Sequence, residues 1–143
     1  MKILLPLFLL VNLMFASTFK VGDDMSSVKV TDQFDKVLQV NSDVKKVIVV
    51  FSKDKGNEIR EFLDSNPNYL KENGAIYLAD VSAAPGFVTN MFMVPKFKKY
   101  SYSMGLIRDE DIAKQFPTQE EMITIFDVDN SVIKNIEFKK SLK

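Results

Sequence analysis

Residues 47–63, VIVVFSKDKGNEIREFL, run from five apolar residues through a short polar turn into an amphipathic stretch. That is the pattern of a strand covered on both faces feeding a helix. Backbone N–H groups at a helix start favour a thiolate, a phosphate or an oxyanion, so such a junction can seat chemistry. Here it holds Ser52, Lys53, Asp54, Lys55, Gly56 and Asn57, without the glycine pattern of a phosphate loop. Lys53, Lys55 and the N–H groups near Gly56 are the groups that would hold an anion. Against that stands the ordinary fate of charged loop residues, which is to face water. Asp54 reads as the helix N-cap rather than as a general base, because nothing nearby offers it an acid partner.

Two absences restrict the chemistry further. The chain contains no cysteine, which excludes disulfides, thiol catalysis, thiolate metal sites and lipoprotein processing. It also contains no histidine, so the usual near-neutral acid/base and the commonest zinc or copper ligand are missing. The expectation therefore leans away from an enzyme. Met91 and Met93, with Met104 and Met25, could offer thioethers to Cu(I). Residues i and i+2 leave a helix in different directions, however, and methionine is a common filler of cores. Phe92, Phe97, Tyr100 and Tyr102, interleaved with Lys96, Lys98 and Lys99, read either as core packing behind a basic face or as a surface for a partner or a flavin. Asp127, Asp129 and Asn130 lack the spacing and closing glutamate of a calcium loop and read as a turn.

Residues 1–16 carry Lys2, an apolar run broken by Pro6 and Asn12, and Ala16 at the end, which is a secretory signal pattern. The run falls short of the roughly 20 residues a membrane span needs. The expectation is export with cleavage after Ala16, hence the periplasm where the cell has an outer membrane, and no stable membrane span afterwards. The remaining residues, 17–143, make one domain. Lysine plus arginine equals aspartate plus glutamate, 19 each, and without the leader's Lys2 the balance is 18 to 19. A chain so balanced has no global field to draw it to nucleic acid, and none is expected as a partner.

Along the mature chain, residues 28–31 and 37–40 alternate about a turn at residues 32–36, which predicts a β-hairpin. After the central strand and helix, Asn66 and Pro67 predict the cap and first residue of a short helix that Asn73-Gly74 ends. Residues 75–81 form a second apolar strand. Pro85 opens a helix with Phe87, Val88, Met91 and Phe92 at helical spacing, and Pro95 ends or kinks it. Leu106-Ile107 is a short strand, followed by a helical turn introduced by Asp109-Glu110-Asp111. Residues 122–126 and 132–138 form a hairpin joined across residues 127–131. A βαβ unit extended by an antiparallel hairpin implies a three-layer α/β/α sandwich.

In that order the residues resemble the thioredoxin-like superfamily, in its peroxiredoxin and thiol–disulfide oxidoreductase branch. Val21-Gly22-Asp23 and the turn Asp32-Gln33-Phe34-Asp35-Lys36 are similar to the family's opening, with Asp35 where the family has glycine. Residues 106–116, LIRDEDIAKQF, and then Pro117, residues 123–127 and residues 132–138 follow its later order. The resemblance covers nearly all of residues 19–138 and implies a thioredoxin-like three-layer sandwich with a mixed central sheet and an N-terminal β-hairpin. Counting on from Phe51, the family's two cysteine positions fall on Gly56 and Ile59, so its redox activity does not carry over. The family's proline beside the active site, cis there, corresponds to Pro117, although about four extra residues near 119–122 separate it from the next strand. The site implied is Lys53, Asp54, Lys55, Gly56 and Asn57 facing Pro117 and Thr118. The expected function is an exported, cysteine-less, non-catalytic binding or accessory module for another envelope protein or peptide. The alternative is an oxidoreductase-associated protein holding flavin, haem or copper at that face, where the cofactor would carry the redox chemistry.

Overall fold

Val47 and Val49 are buried on one face of the central strand, and Ile48 and Val50 on the other. A strand apolar on both sides must be covered on both sides, and that requirement sets the layering. The computed structural model describes residues 18–143, so the leader expected over residues 1–16 lies outside them. The strands are β1 (Lys29–Asp32), β2 (Val37–Gln39), β3 (Lys46–Val50), β4 (Ala75–Asp80), β5 (Gly105–Ile107), β6 (Ile123–Asp129) and β7 (Val132–Lys139). They form one mixed sheet in the order β2-β1-β5-β4-β3-β6-β7. The pairs β3–β4 and β4–β5 are parallel, whereas β1–β2, β1–β5, β3–β6 and β6–β7 are antiparallel.

One face is covered by α1 (Lys53–Ser65), by α2 (Tyr69–Glu72) and by the helical segment running from α3 (Gly86–Val88) to α4 (Val94–Phe97). Ile59 and Leu63 of α1 are buried there with Tyr77, Met104 and Ile125. The other face has a thinner cover. It consists of the stretch from Phe19 to Val28 and the single turn α5 (Glu110–Ala113). Phe19, Phe116 and Phe126 meet edge-on there, with ring centroids 5.4–6.4 Å apart, and edge-to-face contact is a favoured aromatic geometry.

Local structure departs from the sequence expectations at several places. Pro67 does not open a helix: Asn66 closes α1 through its N–H to Leu63 O and its Nδ2 to Phe62 O (2.8 Å), and α2 starts two residues later. Pro95 does not end its helix. Residues Thr89–Met93 form a π-helical turn, with Val94 N–H reaching back to Thr89 O. A wider turn is one way to accommodate a ring that lacks an N–H and crowds the preceding carbonyls. The final hairpin is tighter than residues 127–131. Its strands continue to Asp129 and from Val132, leaving a two-residue turn in which Asn130 and Ser131 have φ of 50° and 70°, as a type I′ turn requires. The described residues contain no cis peptide bond, so Pro117 lacks the family's geometry. The extra residues beside it fold into a turn closed by Met122 N–H to Gln119 O, with Glu121 at φ 60°.

Two buried polar side chains join distant segments. Gln33 is 1 % exposed; its Nε2 donates to Tyr102 O (2.7 Å) and Phe97 O (3.2 Å), and its Oε1 accepts from Met104 N–H (2.8 Å). Asp32 accepts from Phe34 and Lys36 N–H with one carboxylate oxygen and from Ser103 Oγ (2.7 Å) with the other. Burial pushes the Asp32 carboxyl up, but the Ser103, Lys36 and Phe34 hydrogen bonds outweigh it and hold the group below the usual carboxylate range. Gln33→Leu should destabilise the fold by about 1–3 kcal/mol, because Met104 N–H and Tyr102 O lose their partner while Phe97 O keeps the Tyr100 N–H; chemical denaturation measures it. A depressed folded pKa stabilises above the unfolded value of about 3.9 and ceases to as pH falls through the folded value. The stability gap between wild type and Asp32→Asn should therefore close on acidification below that point, as followed by melting temperature against pH.

Candidate functional site

At the carboxyl ends of β3 and β4, the start of α1 faces the segment from Phe92 to Met104 across a cavity of about 420 Å³. The end of parallel strands beside a helix start is a recurrent ligand position in α/β sheets. Val50, Ala79 and Val81 contribute the floor, Phe92, Met93 and Phe97 one wall, and Ser52, Lys53, Gly56 and Asn57 the helix side.

Ser52, not Asp54, caps α1. It is extended (φ −141°, ψ 157°), and its Oγ accepts from Lys55 N–H at 3.2 Å. Asp54 sits in the first turn, where a carboxylate is favoured by the dipole. Helix therefore begins three residues before Gly56, whose own N–H is bonded to Ser52 O (3.0 Å). The N–H groups left without an intrahelical acceptor are those of Lys53 and Asp54. Lys55 turns away: its Nζ donates to Lys140 O (2.8 Å) and pairs with Glu58 (3.2 Å). Ile59 is buried against the sheet.

The seven residues expected at the site are thus divided. Lys53, Gly56 and Asn57 line the cavity, while Asp54 and Lys55 do not. Pro117 and Thr118 border a second, more open hollow with Ser82, Glu110 and Lys114. Phe51 and Asp80 lie between the two hollows and border both. Asp80 is turned into its own loop, its Oδ1 accepting from Ser82 N–H (2.9 Å) and Ser82 Oγ (2.6 Å). Pro117 is tied to β6 by Thr124 Oγ1, which donates to its carbonyl at 2.8 Å.

The aromatic–lysine stretch divides by side chain. Phe97, Tyr100 and Tyr102 pack on the core and line the cavity, with Tyr100 and Tyr102 stacked at 5.5 Å. Phe87, Met91 and Phe92, spaced as for a buried helix face, are 65–66 % exposed. Of the four methionines only Met93 and Met104 share a place, both lining the cavity; Met25 is buried on the opposite face of the sheet and Met91 is exposed.

Tyr77 went unnoticed in the sequence, where it sits mid-strand in AIYLAD. It is 1 % exposed and lines the cavity. Its hydroxyl makes no hydrogen bond to a described residue. Its oxygen lies 4.0 Å from where a Cβ on Gly56 would stand, and both residues line the cavity. A phenol in a two-sided apolar strand needs a partner for its hydroxyl, and that was the available signal. Burial, then the neighbouring Tyr102 and Tyr100, raise its pKa far above the ordinary value. It therefore stays a donor. Burial likewise raises Tyr102, with Tyr100 and Asp64 adding to it.

The sheet order, with helices on both faces, is that of the thioredoxin-like fold. Solved structures with this fold include the thioredoxin domain of a thiol–disulfide oxidoreductase from Bacteroides vulgatus (14 % identity, TM-score 0.55, 85 % of this chain and 91 % of that one). A mutant of the PrxQ protein of Xylella fastidiosa matches at 11 % identity and TM-score 0.58, over 90 % and 91 % of the two chains. A thioredoxin-like protein from Porphyromonas gingivalis matches at 14 % identity and TM-score 0.52, over 82 % of each. At such identities the likeness shows the fold alone. No protein-family model matches the chain, and no curated protein does.

A side chain at Gly56 would meet nothing closer than the Tyr77 hydroxyl, 4.0 Å from an added Cβ. Glycine inside a helix costs about 1 kcal/mol relative to alanine. Gly56→Ala should thus raise stability by about 0.5–1 kcal/mol, whereas Ser52→Ala should lower it by about 1 kcal/mol through loss of the cap. Urea midpoints at unchanged slope would check both.

Proposed function

We propose that the chain is an exported, non-catalytic thioredoxin-like module that binds a protein or peptide of the cell envelope. One observation carries the reading. The two positions matching the family's thiols hold Gly56 and Ile59, while the space beside them is an apolar cavity with Phe92 at its edge. The fold is kept, the sulfur is gone, and a concave surface remains next to where it would be. Phe87, Met91 and Phe92 are exposed on the helical segment beside the cavity, and a contiguous exposed apolar patch marks an interaction site. Export rests on the charge and hydropathy of residues 1–16, and the periplasm follows in a cell with two membranes.

A second reading places a flavin, a haem or copper here. The stacked Tyr100 and Tyr102 beside the cavity favour a flat cofactor, flavin above the others. The scattered methionines give copper no comparable support. Protein purified from its own host should be colourless under the module reading; a visible absorption band that survives dialysis would transfer the function to the cofactor.

Two measurements test the module. Cell fractionation with N-terminal sequencing should recover protein beginning at Ser17 outside the cytoplasm; a cytoplasmic pool starting at Met1 would end the export part. Crosslinking in intact cells should trap a reproducible partner that a Phe87→Ser/Phe92→Ser double variant loses by roughly tenfold or more, given that aromatic anchors dominate interface energies. Equal trapping by folded variant and wild type would remove this surface from the function.

A further inference from the structure

Three features of the cavity bear on what enters it. The first is the start of α1, a 13-residue helix whose Lys53, on the cavity lining, has an N–H without an intrahelical acceptor. The second is the hydroxyl of Tyr77, a donor with no hydrogen-bond partner among the described residues, on a ring 1 % exposed. The third is Gly56, which leaves open the space between them: an added Cβ there would lie 4.0 Å from the Tyr77 oxygen. Donors from a helix and from a strand thus face the same space, and glycine keeps it clear. Lys53 and Lys96 at the edge add positive charge. The one carboxylate on the lining, Asp80, has an oxygen engaged by both Ser82 groups.

The rest of the lining is apolar, with Val50, Ala79, Phe92, Met93, Phe97 and Met104 around it. A phosphate would leave those walls unused, and a hydrocarbon would leave the donors unused. We infer that the cavity takes a monocarboxylate bearing an apolar or aromatic tail, its carboxylate between the α1 start and the Tyr77 hydroxyl and its tail against Phe92, Phe97 and Met104. Two sources share this chemistry: the C-terminal residue of a peptide chain, and a free aryl or alkyl acid. The inference deepens the module reading and rests on it, since a peptide C-terminus is one way a partner presents such a group.

The test uses the intact chain and defined probes: 3-phenylpropionate, a short peptide ending in phenylalanine, and the same peptide amidated. Titration followed by amide NMR should show the Lys53 N–H signal shifting with the acid probes. The amide should bind at least about tenfold more weakly, because a hydrogen bond to a charged group is lost. Tyr77→Phe should weaken the acids about fivefold to tenfold by the same reasoning. Gly56→Leu should abolish binding while its helix remains folded, and Tyr77→Phe, lacking a single oxygen, still decides the matter if the larger change unfolds the chain. Binding of the peptide but not of phenylpropionate would assign the site to chain termini; the reverse would assign it to small acids. Failure of both acids to bind, equal binding of acid and amide, or indifference to both substitutions overturns the inference. If the crosslinked partner is still captured under those results, the module reading stands without it.

Discussion

The structure around the cavity depends on one buried amide. Gln33 belongs to the turn between β1 and β2, yet all three of its hydrogen bonds go to residues 97, 102 and 104. Those residues lie between the end of α4 and the start of β5. Irregular backbone that packs against a core must satisfy its polar groups somewhere, and here a side chain some seventy residues earlier does so. Asp32 beside it repeats the arrangement through Ser103. Tyr100, Tyr102 and Met104 are thereby held against the sheet, and Phe97 with them. Without that clamp the cavity has no second wall.

The opposite wall is set by how the chain leaves β3. Phe51 ends the apolar run, Ser52 caps, and α1 begins at once, so the first turn stands directly over the strand ends. Lys55 reinforces the helix position by reaching the carbonyl of Lys140 past the end of β7. Packing does the rest: Ile59 and Leu63 lock the helix onto the sheet, and a helix held along that face cannot tilt its start away from the space beneath Gly56.

How far the sequence discloses this differs by element. Two-sided apolar runs made β3 and β4 readable, because burial on both faces leaves no polar alternation to confuse them. The βαβ order made the parallel pair readable, and the two-stranded ending likewise, apart from a turn shorter than expected. Caps were misassigned by a residue or two, since Ser52 and Asp54 are equally good cap types and only backbone dihedrals separate them. The π-helical turn was not legible: nothing in TNMFM distinguishes it from α-helix. Nor was the division of the expected site into two hollows, because Phe51 and Asp80 separate Lys53 from Pro117 only in three dimensions. The polar turn residues of 52–57 were visible as a group, but the partner across the cavity, Tyr77, lay in a strand chosen for its apolarity.

A junction without sulfur still has its electrostatics. The partial positive charge of a helix start comes from peptide dipoles and unpaired N–H groups, which are indifferent to the side chain at position 56. A thiolate at that end would neutralise the field from within. Glycine leaves it uncompensated and adds volume. With the Tyr77 hydroxyl below Gly56 and Val50, Ala79, Phe92 and Phe97 around it, the helix start opens on a largely apolar space. Such a site is better completed by a ligand that brings negative charge than by water, whose own donors would find few acceptors there.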